Sequence, residues 1–112
     1  EFVINVVSQA FLPAIELCGN QSGQSMDKFQ EAGLKLSPAF HVAPPLIEGA
    51  LAHLECTVES KIQAGDHTFF IGRVLYAQAQ TNSFLESWQA QTGDVLLCLQ
   101  REQYGSWKLS QP

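Results

Sequence analysis

Gly65-Asp66-His67 sets a carboxylate and an imidazole side by side behind a turn-forming glycine, and the apolar run Thr68-Phe69-Phe70-Ile71-Gly72-Arg73-Val74 follows at once. Upstream, Leu54, Cys56, Val58 and Ile62 alternate with His53, Glu55, Thr57, Glu59 and Lys61. Successive side chains of an extended chain point to opposite faces, so this alternation predicts a half-buried strand with an apolar and a polar side. Ala64-Gly65-Asp66 supplies the turn, and a second strand from His67 to about Ala79 completes a long antiparallel hairpin. His67 then stands at the hairpin's mouth, where a rigid scaffold holds a reactive group at the solvent boundary. The same three residues also read as a plain chain reversal.

Other chemistries find little footing. Gly19-Asn20-Gln21-Ser22-Gly23 lacks both the dinucleotide fingerprint and the Lys-Ser/Thr of a phosphate-binding loop, and no Gly-x-Ser-x-Gly elbow is present. Ser, His and Asp are available for a triad, but nothing around them selects a nucleophile. A net charge of −5, with the six Lys and Arg scattered, argues against nucleic acid. No apolar stretch reaches the roughly 20 residues of a membrane span. Cys18, Cys56 and Cys98 form no Cys-x-x-Cys pair and no cluster at zinc spacing, so neither a disulfide framework nor a metal is indicated. They read as buried small hydrophobes in a reducing cytoplasm.

The 112 residues make a single domain, 1–112. With 46% hydrophobic and only 15% charged residues, some apolar surface is expected to be covered by a partner, and an oligomer is the natural reading. A first strand covers Phe2 to Val7. Ser8 is placed to cap a short helix with Phe11, Ile15 and Cys18 on one side and Gly19 as terminator, provided Pro13 lies in the first turn. Asp27 to Ala32 reads as another brief helix ended by Gly33. Leu34 to Pro45 holds three prolines and predicts an irregular excursion, followed by a helical turn at Leu46 to Leu51. The spacing of Phe84, Leu85 and Trp88 permits a helical turn, and Val95–Leu99 with Tyr104–Leu109 form a second candidate hairpin. The fold class is therefore β-rich α+β.

Four ordered blocks resemble the flavin reductase-like family, the split β-barrels that bind FMN. They are Phe2-Val3-Ile4-Asn5-Val6-Val7, Asp27-Lys28-Phe29, the segment from Pro45 to Cys56 (Pro-Leu-Ile-Glu-Gly-Ala-Leu-Ala-His-Leu-Glu-Cys), and Gly-Asp-His-Thr-Phe-Phe-Ile-Gly-Arg-Val from Gly65 to Val74. The resemblance spans Phe2 to Val74 and is loose in the tail. The family's strands preceding the Asn-bearing one, with their phosphate-holding Ser and Thr and an Asp-Pro-Pro turn, have no counterpart after Glu1, so the chain looks like the central and C-terminal part of a six-stranded split barrel. No phosphate-binding residue is named for that reason.

The resemblance implies an NAD(P)H-dependent flavin reductase, or such a domain of a larger flavoprotein, in which hydride passes from nicotinamide C4 to N5 of stacked FMN, FAD being possible in its place. Stacked rings need proximity and orientation more than acid-base help. His67 then bonds the nicotinamide amide or a cofactor phosphate, and Asp66 orients its ring. Asn5 places an amide near the flavin, or else satisfies backbone groups in its strand. Phe29 packs against the flavin or a nicotinamide, or else belongs to the core. Lys28 reads as solvated; His41 lies in the excursion within reach of a site, and His53 on the polar strand face. The implied partners are a second copy of the chain, with the groove at the subunit boundary, and a larger flavoprotein or partner monooxygenase. The alternative is a non-enzymatic module on the same barrel, binding FMN, haem or another planar ligand.

Overall fold

Ala64 and His67 face each other across the two-residue turn Gly65-Asp66, and from that end the chain pairs antiparallel back to Ala52 and Ala79. The computed structural model describes residues 1–20, 28–82, 84, 95–100 and 103–106. Gly65 takes φ 62°, the left-handed conformation that a two-residue hairpin turn requires at its first position. The two long strands are β4 (Ala52–Ala64) and β5 (His67–Ala79), with the second in the place its apolar run predicts. Their register slips twice, Leu75 being the extra residue on β5 and Glu59 the extra residue on β4. Strand β1 (Phe2–Val6) runs antiparallel along the first part of β4, from Phe2 opposite Cys56 to Val6 opposite Ala52, giving the order β1-β4-β5.

Helix α1 (Leu12–Asn20) follows a short 3-10 turn at Gln9–Phe11, so Pro13 does fall in the first turn of the α-helix. Ser8 begins the turn with its carbonyl, which accepts from Phe11 N–H at 3.0 Å, whereas its side chain makes no capping bond. The helix runs one residue past the expected stop at Gly19. Helix α2 (Lys28–Glu31) ends as its sequence predicts: Leu34 N–H reaches the Phe29 carbonyl and Gly33 N–H the Gln30 carbonyl, the pair of bonds of a Schellman motif.

Two expectations fail on the same segment. Leu46 to Leu51 is not a helical turn. Leu46–Ile47 forms β3, paired with β2 (Leu36–Ser37), and Gly49 then turns the chain at φ 86°. Pro44 and Pro45 hold the approach extended, and side chains of the sheet seize Ile47 before a helix can start. The polar face of β4 is likewise not a solvent face, since Glu55 is fully buried beneath the excursion. The core lies around this first half of β4, with Val42, Leu46, Ala50, Leu51 and Ala52 buried and Cys56 buried on the face of the strand opposite Glu55.

A second hairpin, β6 (Leu96–Gln100) with β7 (Gln103–Ser106), agrees with the expected pair, though β7 is described only as far as Ser106. An isolated bridge from Ser8 to Val95 and a bond from Leu96 N–H to the Val7 carbonyl tie it to the end of β1. The expected helical turn near Leu85 and Trp88 lies outside the described residues.

Candidate functional site

Along β5 the side chains alternate without interruption from His67 to Val74, because the first irregularity is on the opposite strand and the second comes at Leu75. Phe70, Gly72 and Val74 therefore share one face, and His67, Phe69, Ile71 and Arg73 the other. The first set lines a groove of about 540 Å³ together with Glu1, Phe2, Ile4, Cys56 and Val58. Its size falls in the range of small-molecule and cofactor sites, about 300–1,000 Å³.

Gly72 makes the floor of that groove possible. A Cβ there would come within 2.5 Å of Phe2 Cζ and 3.1 Å of Phe2 Cε1, so the ring of Phe2 reaches over a position that only glycine leaves open. The groove's chemistry is that of a planar apolar ring: aromatic and aliphatic walls, with the Glu1 carboxylate as the one charged group among the lining residues. Its dimensions and walls suit an isoalloxazine ring. Among the described residues no Lys, Arg, Ser or Thr lines it, and the residues that do offer no phosphate donor.

His67 is 82% exposed at the hairpin tip, and its Nε2 lies 3.4 Å from Asp66 Oδ1, close enough for an ion pair when the imidazole is protonated. Residues 67 to 70 rise by about 10 Å along a strand, so His67 stands just beyond the rim of the groove and on the reverse face of its own sheet. Asn5 is engaged by the backbone, its Oδ1 accepting from Ile47 N–H at 3.1 Å. Phe29 is partly exposed on α2 and does not line the groove. His67, Asn5 and Phe29 are thus separate in one copy of the chain.

Residues that the sequence pattern placed on the plain polar face prove to be the organised ones. Asn5, His53 and Gln78 sit opposite one another across β1, β4 and β5. His53 Nε2 donates to the Ile47 carbonyl at 2.8 Å, while Nδ1 accepts from Gln78 Nε2 at 3.2 Å. Two residues along β4, burial alone would raise the Glu55 carboxyl. The backbone N–H groups of Phe40, His41 and Val42, with the nearby His41 charge, outweigh that and hold it below the ordinary carboxylate value. Above it the rings of Phe40 and His41 lie 5.1 and 5.3 Å from that of Tyr76. The readable signal was the spacing of Asn5, His53 and Glu55 on one strand face; the missing signal was what would cover that face.

Among the described residues there is no group of three or more metal-ligating side chains, and no helix is long and apolar enough to cross a membrane.

Residues 1–108 match the model of the flavin reductase like domain. An uncharacterized protein of Pyrococcus abyssi is 41% identical over 75 residues, which is 67% of this chain and 42% of that protein. An NADH-dependent flavin reductase of a Rhodococcus species is 63% identical over 30 residues, covering 27% of this chain and 17% of its own length. Among solved structures, nitrilotriacetate monooxygenase component B from Bacillus cereus superposes with a TM-score of 0.84 at 16% identity, over 98% of this chain and 58% of that one. The chain therefore spans under half the length of the curated relatives it matches, while almost all of it shares the fold of the longer structure. With the family model matched over residues 1–108, the chain belongs to the flavin reductase-like domain family.

Proposed function

We propose that the chain is an NAD(P)H-dependent flavin reductase domain that holds the isoalloxazine ring of FMN, or the same ring of FAD, in the groove between Phe2 and Val74. It works as a homodimer in which the Asp66-His67 turn of one copy reaches the groove of the other. One observation carries this reading: the apolar groove and His67 lie on opposite faces of the same strand, so a ring bound in the groove meets an imidazole only if another copy supplies it. The exposed apolar side chains of the projecting hairpin, Phe69 at 60% and Phe70 at 57% among them, give that second copy a surface to cover.

The bound flavin supplies the hydride acceptor. The chain's residues do the rest by position. Phe2, Ile4, Val58 and Val74 exclude water from one side of the ring, Phe70 closes the end nearer the hairpin tip, and Gly72 leaves room for the tip of the Phe2 ring. The partner's His67 donates a hydrogen bond to the nicotinamide amide or a cofactor phosphate, with Asp66 fixing its orientation. A partner monooxygenase or a larger flavoprotein would be the recipient of the reducing equivalents. The Bacillus cereus neighbour is named as one component of a monooxygenase, which accords with such a partner. A cytoplasmic setting accords with Cys18 and Cys56 being thiols and not disulfide-bonded.

A second reading is favoured by the absence of a phosphate-gripping group among the groove's lining residues: a non-enzymatic module taking FMN, haem or another planar ligand by its ring alone. Titration with FMN followed by addition of NADH without air separates the two. The reductase bleaches the flavin's visible band, and the module binds flavin but leaves it oxidised. Absence of saturable flavin binding would rule out the reductase.

A further inference from the structure

The segment Phe40–Ile47 lies across the sheet on fastenings that come mostly from side chains. Phe40 N–H donates to Glu55 Oε2 at 3.0 Å and His41 N–H to Glu55 Oε1 at 2.6 Å. Val42 N–H, next along the strap, adds a weaker stabilisation of the same carboxylate. Ala43 N–H donates to Glu1 Oε1 at 3.3 Å, and Ile47 N–H to Asn5 Oδ1 at 3.1 Å. Pro44 and Pro45 have no N–H to place, and the Ile47 carbonyl ends on His53. The strap has ladder pairing only at its end, where Leu46 and Ile47 meet β2.

Glu55 is the one buried charged residue among the described residues, and it is fully buried. Among the described residues no Lys or Arg forms an ion pair with it. Its negative charge is balanced by main-chain N–H groups that belong to the strap and to nothing else. Burying a carboxylate is costly, and charge-assisted bonds to backbone N–H groups offset that cost only while the charge is present. The hairpin beneath does not depend on it, being held by a ladder that runs from Ala52 opposite Ala79 to Ala64 opposite His67.

We propose that Glu55 is the latch of this strap: the ionised carboxylate pins Phe40–Val42 to the sheet, and neutralising it frees the strap with its Phe40 and His41 rings while β4 and β5 stay paired. Local opening of this kind is drawn from the parts of a fold with few ladder bonds. The groups facing Glu55 are His41 from the strap, Tyr76 opposite it on β5, Glu1 at the head of β1, and His53 two residues earlier on β4. The His41 charge favours the latched form. Glu1 is a second carboxylate on the same strap, so it is the control. Release uncovers the row Asn5-His53-Gln78 and the ring of Tyr76, a face closed in the latched state.

Residue-resolved amide exchange on the full chain, over a pH series, tests this. In the unaltered chain the protection of the Phe40, His41 and Val42 amides is expected to fall by up to about tenfold per pH unit as the pH drops from the ordinary carboxylate value towards the lower folded one, and to level off below it, with the β4–β5 ladder amides unchanged. Glu55→Gln is expected to lower protection at the same three amides roughly tenfold or more at neutral pH and to abolish their pH step. Glu1→Gln is expected to keep that step. If Glu55→Gln does not fold, the pH series on the unaltered chain and on Glu1→Gln decides. Protection at residues 40–42 that survives acid, that is lost only together with the ladder, or whose step disappears in Glu1→Gln, would overturn the proposal.

Discussion

His53 and Ile47 are joined across the sheet's covered face by a bond of 2.8 Å from the imidazole Nε2 to the main-chain carbonyl, and Gln78 fixes the other ring nitrogen at 3.2 Å. With Asn5 on the Ile47 N–H, both polar groups of one peptide residue are held by side chains of a single cross-strand row. Ile47 is gripped from both sides. This fixes the neutral Nε2–H tautomer, since Nδ1 accepts from the Gln78 amide.

Removing that grip has a defined cost. His53→Ala leaves a part-buried carbonyl without its donor and is expected to destabilise the fold by about 1–3 kcal/mol. Asn5→Ala, which strips the N–H of the same residue, is expected to cost a similar amount. Because the two share Ile47, the double variant should fall short of the sum of the singles by about 0.5 kcal/mol or more. Urea unfolding of the three variants checks this, and full additivity would show that the row does not act as a unit.

Gly72 is expected to tolerate no side chain without loss. Gly72→Ala drives a methyl against Phe2 Cζ and must tilt that ring, at about 1–3 kcal/mol for an overpacked contact. The companion change Phe2→Leu clears the space and should recover part of the loss. Thermal unfolding of both, alone and combined, reads the effect. Flavin affinity should fall in Gly72→Ala as well, since the tilted ring intrudes on the groove.

Much of the hairpin was legible in the sequence, and the strap was not. Alternation in His53–Val58, the Gly65-Asp66 turn and the run from His67 to Val74 each point to the same local geometry, and β4 and β5 follow from them, although the extra residue Glu59 carries Ile62 to the face opposite Val58. Leu46 to Leu51 failed because its conformation is decided by Asn5 and His53, more than forty and six residues away in the two directions, and no local pattern carries that information. Glu55 looked like a solvent residue for the same reason: alternation tells which face a side chain takes, not what is laid upon it. The groove was partly legible. Phe70, Gly72 and Val74 fall on one face by parity and His67 on the other, but which residues of β1 and β4 join them emerges only once the register is placed.

Stability should carry an acid limb due to Glu55. Its folded value lies below that of an unfolded carboxylate, so its contribution is complete above the unfolded value and is lost as pH falls through the folded one. Chemical denaturation at neutral pH and across the acid range is expected to show stability falling with pH in the unaltered chain and a flatter curve in Glu55→Gln. An equal acid limb in both would show that other groups produce it.

The groove's lining makes an unusual demand on ligand preference. With no phosphate donor among the lining residues, riboflavin and FMN should bind this chain with affinities within about threefold of each other, less than 1 kcal/mol apart. Fluorescence quenching of each flavin by the chain measures it. A strong preference for FMN would place a phosphate-holding group at the site that the groove does not display.

The most direct test of the central claim is a mixing experiment. Val74→Trp fills the groove and leaves the hairpin turn intact, whereas His67→Ala removes the imidazole and leaves the groove intact. Each variant alone is expected to oxidise NADH slowly in the presence of FMN, and the re-equilibrated mixture to regain up to about a quarter of the unaltered rate, because half the dimers are mixed and each holds one complete site. A mixture no faster than the average of its two components would contradict a site completed by the second copy.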